Sequence, residues 1–400
     1  MGVQQFNDFM EGTGPAYVSS ATDVVNDAQK RTYSFGWLLS GDIANKKVIQ
    51  GGSEIREKVF FEHGDTFAFH DPGETRTWQN PQKLVRLRVY WRFGEAHMSW
   101  NKQEVMLNDQ AKFGGASGRF QQYIDLRNQK ERMMWTDKWA GMEEALWAEP
   151  STLMENETGK IPFSIPAFIN EDTSGLFDPQ DGGTVFTTIE SIDPTDAALG
   201  RTGFVPQQRT YDTAIVDQDD MFNTDSILGQ SDLMFMDLRF EQPPTFKEYF
   251  ENPQFNKFRI ATSSAGRAAM QQGLRGANDQ VVMGGKQDPA YPNPTFNGIP
   301  IMRVEELDTA TLYTTGSDTA SEGNASTTAR GPRFYWINTE YLYPVFHDEM
   351  YFSKQKPMMH PNDPDTFVCP VNTWYNVICT SRRRQGILSP GTTLYTGLYS

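Results

Sequence analysis

Three adjacent residues, His347, Asp348 and Glu349, are the most suggestive local group for proton transfer or metal binding. Such chemistry requires side chains that converge on one reacting atom, and adjacency along the chain does not provide this convergence by itself. None of the five histidines takes part in an HExxH motif, which places two zinc ligands on one face of a helix. The cluster is therefore a candidate without motif support.

Motifs for nucleophilic catalysis and for phosphate or zinc binding are missing. The segment Gly114–Gly118 resembles a nucleophile elbow, but no glycine follows the serine at the required position. No Walker-type phosphate loop occurs, and Cys369 and Cys379 stand ten residues apart without the paired partners of a zinc knuckle. The turn Thr262–Gly266, before a predicted helix, could bind an anion through backbone amides, as many helix starts could.

Residues 194–232 are loop-like and acidic, and their aspartates could bind a cation. An EF-hand loop needs a glycine at its sixth position and a glutamate at its twelfth, and the segment around Asp217 supplies neither. We therefore predict no catalytic residue, no metal site and no cofactor, so that the chain is not an enzyme. The aspartates are Asp212, Asp217, Asp219, Asp220 and Asp225.

The composition restricts the classes of protein to which the chain can belong. Its 400 residues are enough for about two to three globular units or one elaborated domain. With 36 basic and 51 acidic residues, the net charge of −15 argues against a broad nucleic-acid-binding face. Two cysteines do not make a disulfide framework, which favours a reducing compartment. We expect neither a secretion signal nor a membrane span.

A long helix is predicted over residues 117–149. Proline is absent until Pro150, and Arg127 and Glu131 have the i, i+4 spacing of a pair that neutralises itself. A helix of this length spans roughly 45 Å, so we expect a structural strut rather than a site. Its apolar stripe comprises Phe120, Ile124, Trp135, Trp139, Met142 and Leu146.

Residues 54–101 are predicted to form a long β-hairpin with its tip at Asp71–Pro81, which is rich in turn-forming residues. An isolated hairpin is barely stable in water. Its apolar row would therefore bury against a surface, and its basic row would meet carboxylates, for which another copy of this acidic chain is one source. An ordinary half-buried strand with a solvated polar face is the alternative. The apolar row is Val85, Leu87, Val89, Trp91 and Phe93, and the basic row is Arg86, Arg88 and Arg92.

Two further segments have the character of contact surfaces. Residues 1–53 carry isolated aromatic side chains, which indicates either a disordered end or an arm that docks on another surface. Three adjacent arginines near the C-terminus could contact another subunit or an enclosed polyanion, and a solvated strand end is the alternative. The predicted assembly interface thus comprises Phe6, Phe9, Trp78, Arg86, Arg88, Arg92, Arg382, Arg383 and Arg384.

Shorter elements fill the rest of the chain. A small α/β region with alternating elements is predicted from about Leu233, followed by a Ser/Thr/Gly/Ala-rich surface loop at Thr314–Gly331. The predicted strands are Lys160–Asn170, Thr184–Asp193, Leu233–Phe240, Asn297–Leu307 and Trp374–Thr380, and a strand, turn and helix are predicted over 256–276.

In this order of parts, the chain resembles the major capsid proteins of tailed bacteriophages with the HK97-like fold. The ending from Tyr341 to Phe352 and from Thr373 to Leu388 also resembles the C-terminal region of such proteins. The resemblance implies an α+β fold. Its parts would be an N-terminal arm (1–53), an E-loop hairpin (54–101), a P-domain (102–231) with a spine helix (117–149), an α/β A-domain (232–332), and a return to the P-domain with the C-terminal strand (333–400).

The resemblance also implies a function. Members self-assemble into hexamers and pentamers of an icosahedral head that encloses double-stranded DNA without sequence-specific binding. The implied partners are further copies and scaffolding, portal and decoration proteins, with no membrane, and the location is the virion after synthesis in the bacterial cytoplasm. Some members crosslink a lysine to an asparagine, but only Lys83 lies near the predicted tip, so we expect no crosslink here.

Two other functions stay open on the sequence. The first is an encapsulin-like cellular shell, which differs from a phage head in what it encloses. The second, from a different class, is a β-rich carbohydrate-active enzyme with tryptophan platforms and a carboxylate pair. Such an enzyme usually has a secretion signal, which this sequence lacks at its start.

Overall fold

A computed structural model of the chain describes residues 34–39, 46–60, 69, 71, 84–103, 116–171, 176, 186–194, 204–212, 225–238, 257–278, 295–309 and 332–390. No helix in these ranges is both long and apolar enough to span a membrane.

The described ranges contain both α-helices and β-strands. The helices are α1 (Phe35–Leu39), α2 (Ala116–Leu146), α3 (Thr152–Glu155), α4 (Ile165–Phe168), α5 (Ile227–Leu238), α6 (Ser264–Asn278) and α7 (Glu306–Thr309). The strands are β1 (Lys47–Ile49), β2 (Glu54–Phe60), β3 (Leu84–Tyr90), β4 (Arg92–Asn101), β5 (Gln207–Tyr211), β6 (Phe258–Thr262), β7 (Thr295–Phe296), β8 (Ile299–Arg303), β9 (Phe334–Asn338), β10 (Leu342–His347), β11 (Ser353–Lys354), β12 (Met358–His360), β13 (Asp363–Cys379) and β14 (Gly386–Pro390).

The chain divides into two compact units. The first unit comprises the described residues of Phe93–Met142 and Glu349–Trp374. The second unit comprises the described residues of Thr32–Arg92, Glu143–Asp348 and Tyr375–Ser400.

The first unit is a small antiparallel sheet with a helix on one face. The early part of β13 pairs with β11, β12 and β4, and α2 contributes Met134 to the core beneath them. Along β4, His97 and its alternate neighbours are exposed while the core positions are buried, as the twofold alternation of a strand requires. The sheet therefore has one covered and one open face. Its buried core is Met98, Trp100, Met134, Cys369 and Val371.

The second unit contains a six-stranded sheet in the order β5-β14-β9-β6-β8-β7. The pairs β14–β5 and β6–β8 are parallel, whereas β9 runs antiparallel to β14 and β6. Every residue of β9 is buried, as expected for the centre of a covered sheet. Strands β5 and β14 come from regions predicted to belong to the P-domain, so this sheet draws on three parts of the sequence. Its core is Tyr211, Met234, Leu238, Ile260, Met270, Phe296, Ile299, Ile301, Phe334, Trp336 and Leu388.

Two smaller pairings complete the second unit. β2 and β3 form a hairpin, with Glu54 opposite Tyr90 and Phe60 opposite Leu84. β1 pairs in parallel with β10, which pairs antiparallel with the last part of β13. The predicted hairpin of 54–101 therefore ends at Tyr90, because β4 belongs to the sheet of the other unit.

Three predicted strands are wrong. Within 160–170 the chain forms the helix α4, whose first turn holds Pro166, a place where a missing backbone N–H has no cost. In the described part of 184–193, the β-pairing is a single bridge between Ile189 and Ile192. The segment 233–240 lies largely in α5, because periodicity cannot separate a short buried strand from a helix.

The long helix is close to its prediction, with bounds of 116–146 instead of 117–149. Its buried stripe is partly different, because Met134, Lys138 and Met142 are buried whereas Trp139 is half-buried. A lysine in this stripe breaks the apolar pattern, which is why the sequence did not indicate it.

Candidate assembly interface

The hairpin β2–β3 displays the clearest part of the predicted interface. Leu87 and Val89 are buried, whereas the alternate residues Arg86 and Arg88 are exposed, so the predicted alternation holds along β3. Ile55 of β2 is buried as well. The apolar row of the hairpin base is thus covered by its own chain, and the basic row is open to solvent.

Strand β2 doubles this basic row. In the antiparallel register, Arg56 lies opposite Arg88 and Lys58 lies opposite Arg86, and all four side chains are exposed. Like charges directly opposite each other destabilise a sheet. Glu54 offsets part of this repulsion through ion pairs to Arg56 and to Arg88, the latter at 3.4 Å. Arg56 and Lys58 were not among the predicted interface residues, although their spacing of two residues is the signal of one strand face.

Arg92 does not belong to the exposed basic row, and its predicted place there is wrong. Its side chain is 2% exposed and donates to the carbonyl oxygens of Met154 (2.7 Å), Asn156 (2.8 Å) and Ile161 (3.0 Å). Burial lowers the pKa of Arg92. The strand ends at Tyr90, so the alternation shifts by one position, and Arg92 stabilises the segment around α3 instead of facing a partner.

The three C-terminal arginines have three different environments. Arg382 is fully buried and donates to the carbonyl oxygens of Phe168 (2.8 Å) and Phe204 (3.0 Å), so its predicted interface role is wrong. Arg384 lies over the ring of Tyr341, 4.2 Å from its centroid. Arg383 is exposed. A 3-10 turn has three residues per turn, so consecutive side chains point in different directions.

Part of the predicted arm is anchored on the second unit. Both carboxylate oxygens of the buried Glu143 accept backbone hydrogen bonds at the start of α1, from Ser34 at 3.0 Å and from Phe35 at 2.8 Å. Trp147 also donates its indole N–H to the Ser34 hydroxyl at 2.7 Å. Phe35 and Leu38 are buried. Within the predicted arm of 1–53, the residues from Ser34 to Leu38 therefore pack against their own chain, and Phe6, Phe9 and Trp78 lie outside the described residues.

The first unit exposes large apolar side chains. Phe93 is 66% exposed on the open face of the sheet and packs edge-on against Trp374, with 4.7 Å between ring centroids. Met358 and Met359 on the edge strand β12 are exposed as well. Exposed apolar groups on a sheet and its edge are typical of contact surfaces. The exposure of Phe93 was not predicted, because its alternation with Val89 and Trp91 assigned it to the buried row of the hairpin.

A buried lysine lies between α2 and the sheet of the first unit. The Nζ of Lys138 donates to the carbonyl oxygen of Val371 at 2.9 Å and lies 5.2 Å from the ring centroid of Phe352. Burial lowers the pKa of Lys138 to about 8, and Glu95 acts in the opposite direction. The lysine therefore joins helix and sheet inside the unit instead of serving a surface.

The candidate residues for proton transfer, metal binding or anion binding make structural contacts within the chain. Asp348 accepts a hydrogen bond from the side chain of Gln50 at 2.8 Å, and the His347 ring packs edge-on against Trp91. At the turn before α6, the backbone N–H of Ser264 donates to Asp308, so the chain's own carboxylate occupies that helix start. Within the described ranges, no three His, Cys, Asp or Glu residues are grouped as metal ligands would be.

The fold is similar to that of solved phage capsid chains. The capsid asymmetric unit of Cyanophage A-1(L) matches with a TM-score of 0.52 and 12% identity, over 95% of this chain and 99% of that chain. The capsid of Cyanophage P-SCSP1u matches with a TM-score of 0.48 and 10% identity, over 94% and 93%. The capsid of a native GTA particle matches with a TM-score of 0.47 and 10% identity, over 94% and 100%.

Sequence comparison alone does not find these relationships. No family model matches the chain, and no curated protein matches it. At 12% identity, the likeness to the Cyanophage A-1(L) chain establishes the fold. The predicted α+β, HK97-like fold is thereby confirmed.

Proposed function

We propose that this chain is a major capsid protein that self-assembles into the hexamers and pentamers of an icosahedral phage head around double-stranded DNA. The observation that carries the proposal is a shared fold over 95% of this chain and 99% of a phage capsid chain. Such coverage leaves little of either chain outside the common architecture.

The basic face of the hairpin supports the assembly proposal, because carboxylates of a second copy would stabilise its facing cations. Two cross-strand pairs of like charge, Arg56–Arg88 and Lys58–Arg86, are unfavourable in an isolated sheet. Carboxylates of a neighbouring copy would neutralise them, and a chain with a net charge of −15 offers many. The same net charge disfavours tight electrostatic binding of the enclosed DNA.

Exposed apolar side chains of the first unit would supply a second contact of different chemistry. Phe93, Met358 and Met359 are each more than half exposed. Burial of apolar area between copies would contribute roughly 25 cal/mol per Å². The basic hairpin would then supply orientation and specificity, and the apolar face would supply most of the affinity.

The proposed partners follow from this function. Further copies of the chain come first, and scaffolding, portal and decoration proteins act during and after assembly. The location is the virion, after synthesis in the cytoplasm of a bacterial host. No membrane takes part in this proposal.

Expression of the full chain in bacteria, followed by electron microscopy and sedimentation, tests the proposal. We expect rings, tubes or closed shells made of many copies. Uniform monomers at high concentration, also with a scaffolding protein present, would contradict it. Shells that hold a defined protein cargo instead of DNA would favour the encapsulin-like alternative.

A further inference from the structure

A strained turn lies against the base of the hairpin. Glu190 and Ser191 have φ angles of 55° and 64°, in the left-handed region that is unfavourable for residues with a Cβ atom. Backbone hydrogen bonds in both directions between Ile189 and Ile192, of 2.8 and 2.9 Å, close the turn. Strain of this kind persists where the surroundings hold it, and it occurs often at switch regions.

The side chain of Glu190 is buried and only half satisfied. It is 1% exposed, and its Oε1 accepts a hydrogen bond from the backbone N–H of Cys379 at 2.8 Å. Among the described residues, its Oε2 has no hydrogen-bond partner. An unpaired charged oxygen in such a place is costly. Burial accordingly raises the pKa of Glu190 to about 8, although the Cys379 amide and the charge of Arg382 act against this shift.

The groups that face Glu190 do not titrate in the same range. Arg382, from the turn after β13, stays protonated and directs donors to the carbonyl oxygens of Phe168 and Phe204. Burial raises the pKa of Tyr343 on β10 and of the Cys379 thiol on β13 above their ordinary values.

The backbone of the same turn holds the hairpin. The N–H of Arg88, in the middle of β3, donates to the carbonyl oxygen of Glu190 at 3.0 Å. The hydroxyl oxygen of Ser191 lies 3.4 Å from both the Nε and the carbonyl oxygen of Arg88. One residue thus joins the end of β13, through its side chain, to the hairpin, through its backbone.

We propose that the Glu190 turn is a protonation-controlled latch for the hairpin, closed when the carboxyl group is protonated and loosened when it ionises. The closed turn raises the pKa of Glu190 above its ordinary value of 4.5, so the closed turn binds the proton more tightly than the open one. The latch is therefore tightest below pH 4.5 and weakens as the pH rises to about 8. This inference concerns the single chain and does not rest on the proposed capsid function.

Hydrogen exchange of the Arg88 amide in the dilute full chain tests the latch. Protection factors correct for the intrinsic pH dependence of exchange, so they report on opening alone. We expect the wild-type protection factor to fall by up to about tenfold per pH unit between about pH 5 and pH 8. The variant Glu190→Gln removes the ionisable group and should show no such slope.

A matched control is Glu143→Gln, which neutralises another buried carboxylate, one with hydrogen bonds to both of its oxygens. This variant should keep the wild-type slope at Arg88. A wild-type protection factor that does not change with pH would overturn the proposal, as would an equal slope in Glu190→Gln. If Glu190→Gln does not fold, infrared titration of the wild type decides. A protonated carboxyl band that disappears near pH 8 supports the latch, and absence of that band at pH 6 refutes it.

Discussion

The arginines of this chain differ in what their side chains contact, and the difference decides which substitutions report on assembly. Arg86 and Arg88 are exposed beside two further cations. Arg92 donates to backbone carbonyl oxygens inside the chain and is 2% exposed. Removing a buried, hydrogen-bonded charge leaves its acceptors unpaired, whereas changing an exposed charge leaves the interior untouched.

We expect the double substitution R86E/R88E to weaken or abolish assembly while the isolated chain stays folded. The new carboxylates would face Lys58 and Arg56, so each like-charge pair becomes an attractive pair worth about 0.2–1 kcal/mol, which offsets the loss of the ion pair between Arg88 and Glu54. Thermal unfolding should therefore show an equal or higher Tm, and sedimentation should show loss of large particles. Normal shells from this variant would remove the hairpin's basic face from the interface.

The substitution R92E is the contrasting control for that experiment. It would place a carboxylate among the carbonyl oxygens of Met154, Asn156 and Ile161, so we expect misfolding rather than a specific assembly defect. The burial of Arg92 could not be predicted from the sequence. Arg86, Arg88 and Arg92 are separated by even numbers of residues, so they would lie on the same side of one continuous strand. The strand is interrupted at Trp91, between β3 and β4, and this interruption shifts the in–out alternation by one residue. Its position depends on the sheet that β4 joins, which the local sequence does not specify.

The segment around α3 encloses the Arg92 side chain and relies on one glycine. A Cβ atom at Gly159 would lie 1.6 Å from the carbonyl oxygen of Leu153, which is itself 3.4 Å from Nη2 of Arg92. Gly159→Ala would thus displace backbone rather than a flexible side chain.

We expect Gly159→Ala to lower the free energy of unfolding by about 1–3 kcal/mol, measured by urea denaturation. Gly141→Ala is the matched control, because a Cβ at this exposed position of α2 meets nothing within 4 Å. Alanine in a helix interior is favoured over glycine, so the control should gain about 0.5–1 kcal/mol. Equal stability of the two variants would show that the α3 segment adapts freely.

The contact between α2 and its sheet should depend on pH through Lys138. Burial lowers the pKa of Lys138 to about 8 from 10.5, so the unfolded chain binds more protons between these values. Its contribution to stability should therefore rise with pH across this window. We expect Lys138→Met to lose this rise, measured by urea denaturation at pH 8 and pH 10.

Lys130→Met serves as the control for that titration. Lys130 lies on the same helix and also donates to a backbone carbonyl of the sheet, that of Ser99 at 3.0 Å, but in an exposed place. This variant should keep the wild-type slope. A wild-type slope that survives in Lys138→Met would assign the pH response to another group.

Elements with a strong local signal were predicted well, and those set by distant contacts were not. The alternation of β3 holds because one side is buried and the other is open. The helix predicted within 256–276 is present as α6, and its start is capped by the Ser263 hydroxyl, which accepts a hydrogen bond from the N–H of Gly266 at 3.3 Å. The helix α5 was mistaken for a strand because its apolar run is short. The anchoring of α1 by Glu143 joins residues more than a hundred positions apart and left no local pattern.

As a whole, the chain combines a net charge of −15 with one concentrated basic face on the hairpin. Salt screens exposed charges over a Debye length of about 10 Å at 0.1 M. In the isolated chain, screening relieves the repulsion between the facing cations, so we expect its Tm to rise slightly with salt. In the proposed assembly, screening would weaken the contact with a neighbour's carboxylates, so light scattering should report less assembly. A rise of both quantities with salt would contradict an electrostatic hairpin contact.

The hydrogen bonds that hold Ser34 fix one end of the segment 1–33, and this sets the greatest distance that residue 1 can lie from Ser34. Whatever path residues 1–33 take, they are tethered to the chain at Ser34, whose backbone and hydroxyl are held by buried hydrogen bonds. Even a fully extended chain of 33 residues reaches at most roughly 120 Å from Ser34. Distances measured from Glu143 to a label at residue 1, in the isolated chain and in the proposed assembly, would therefore be compared against a known upper bound.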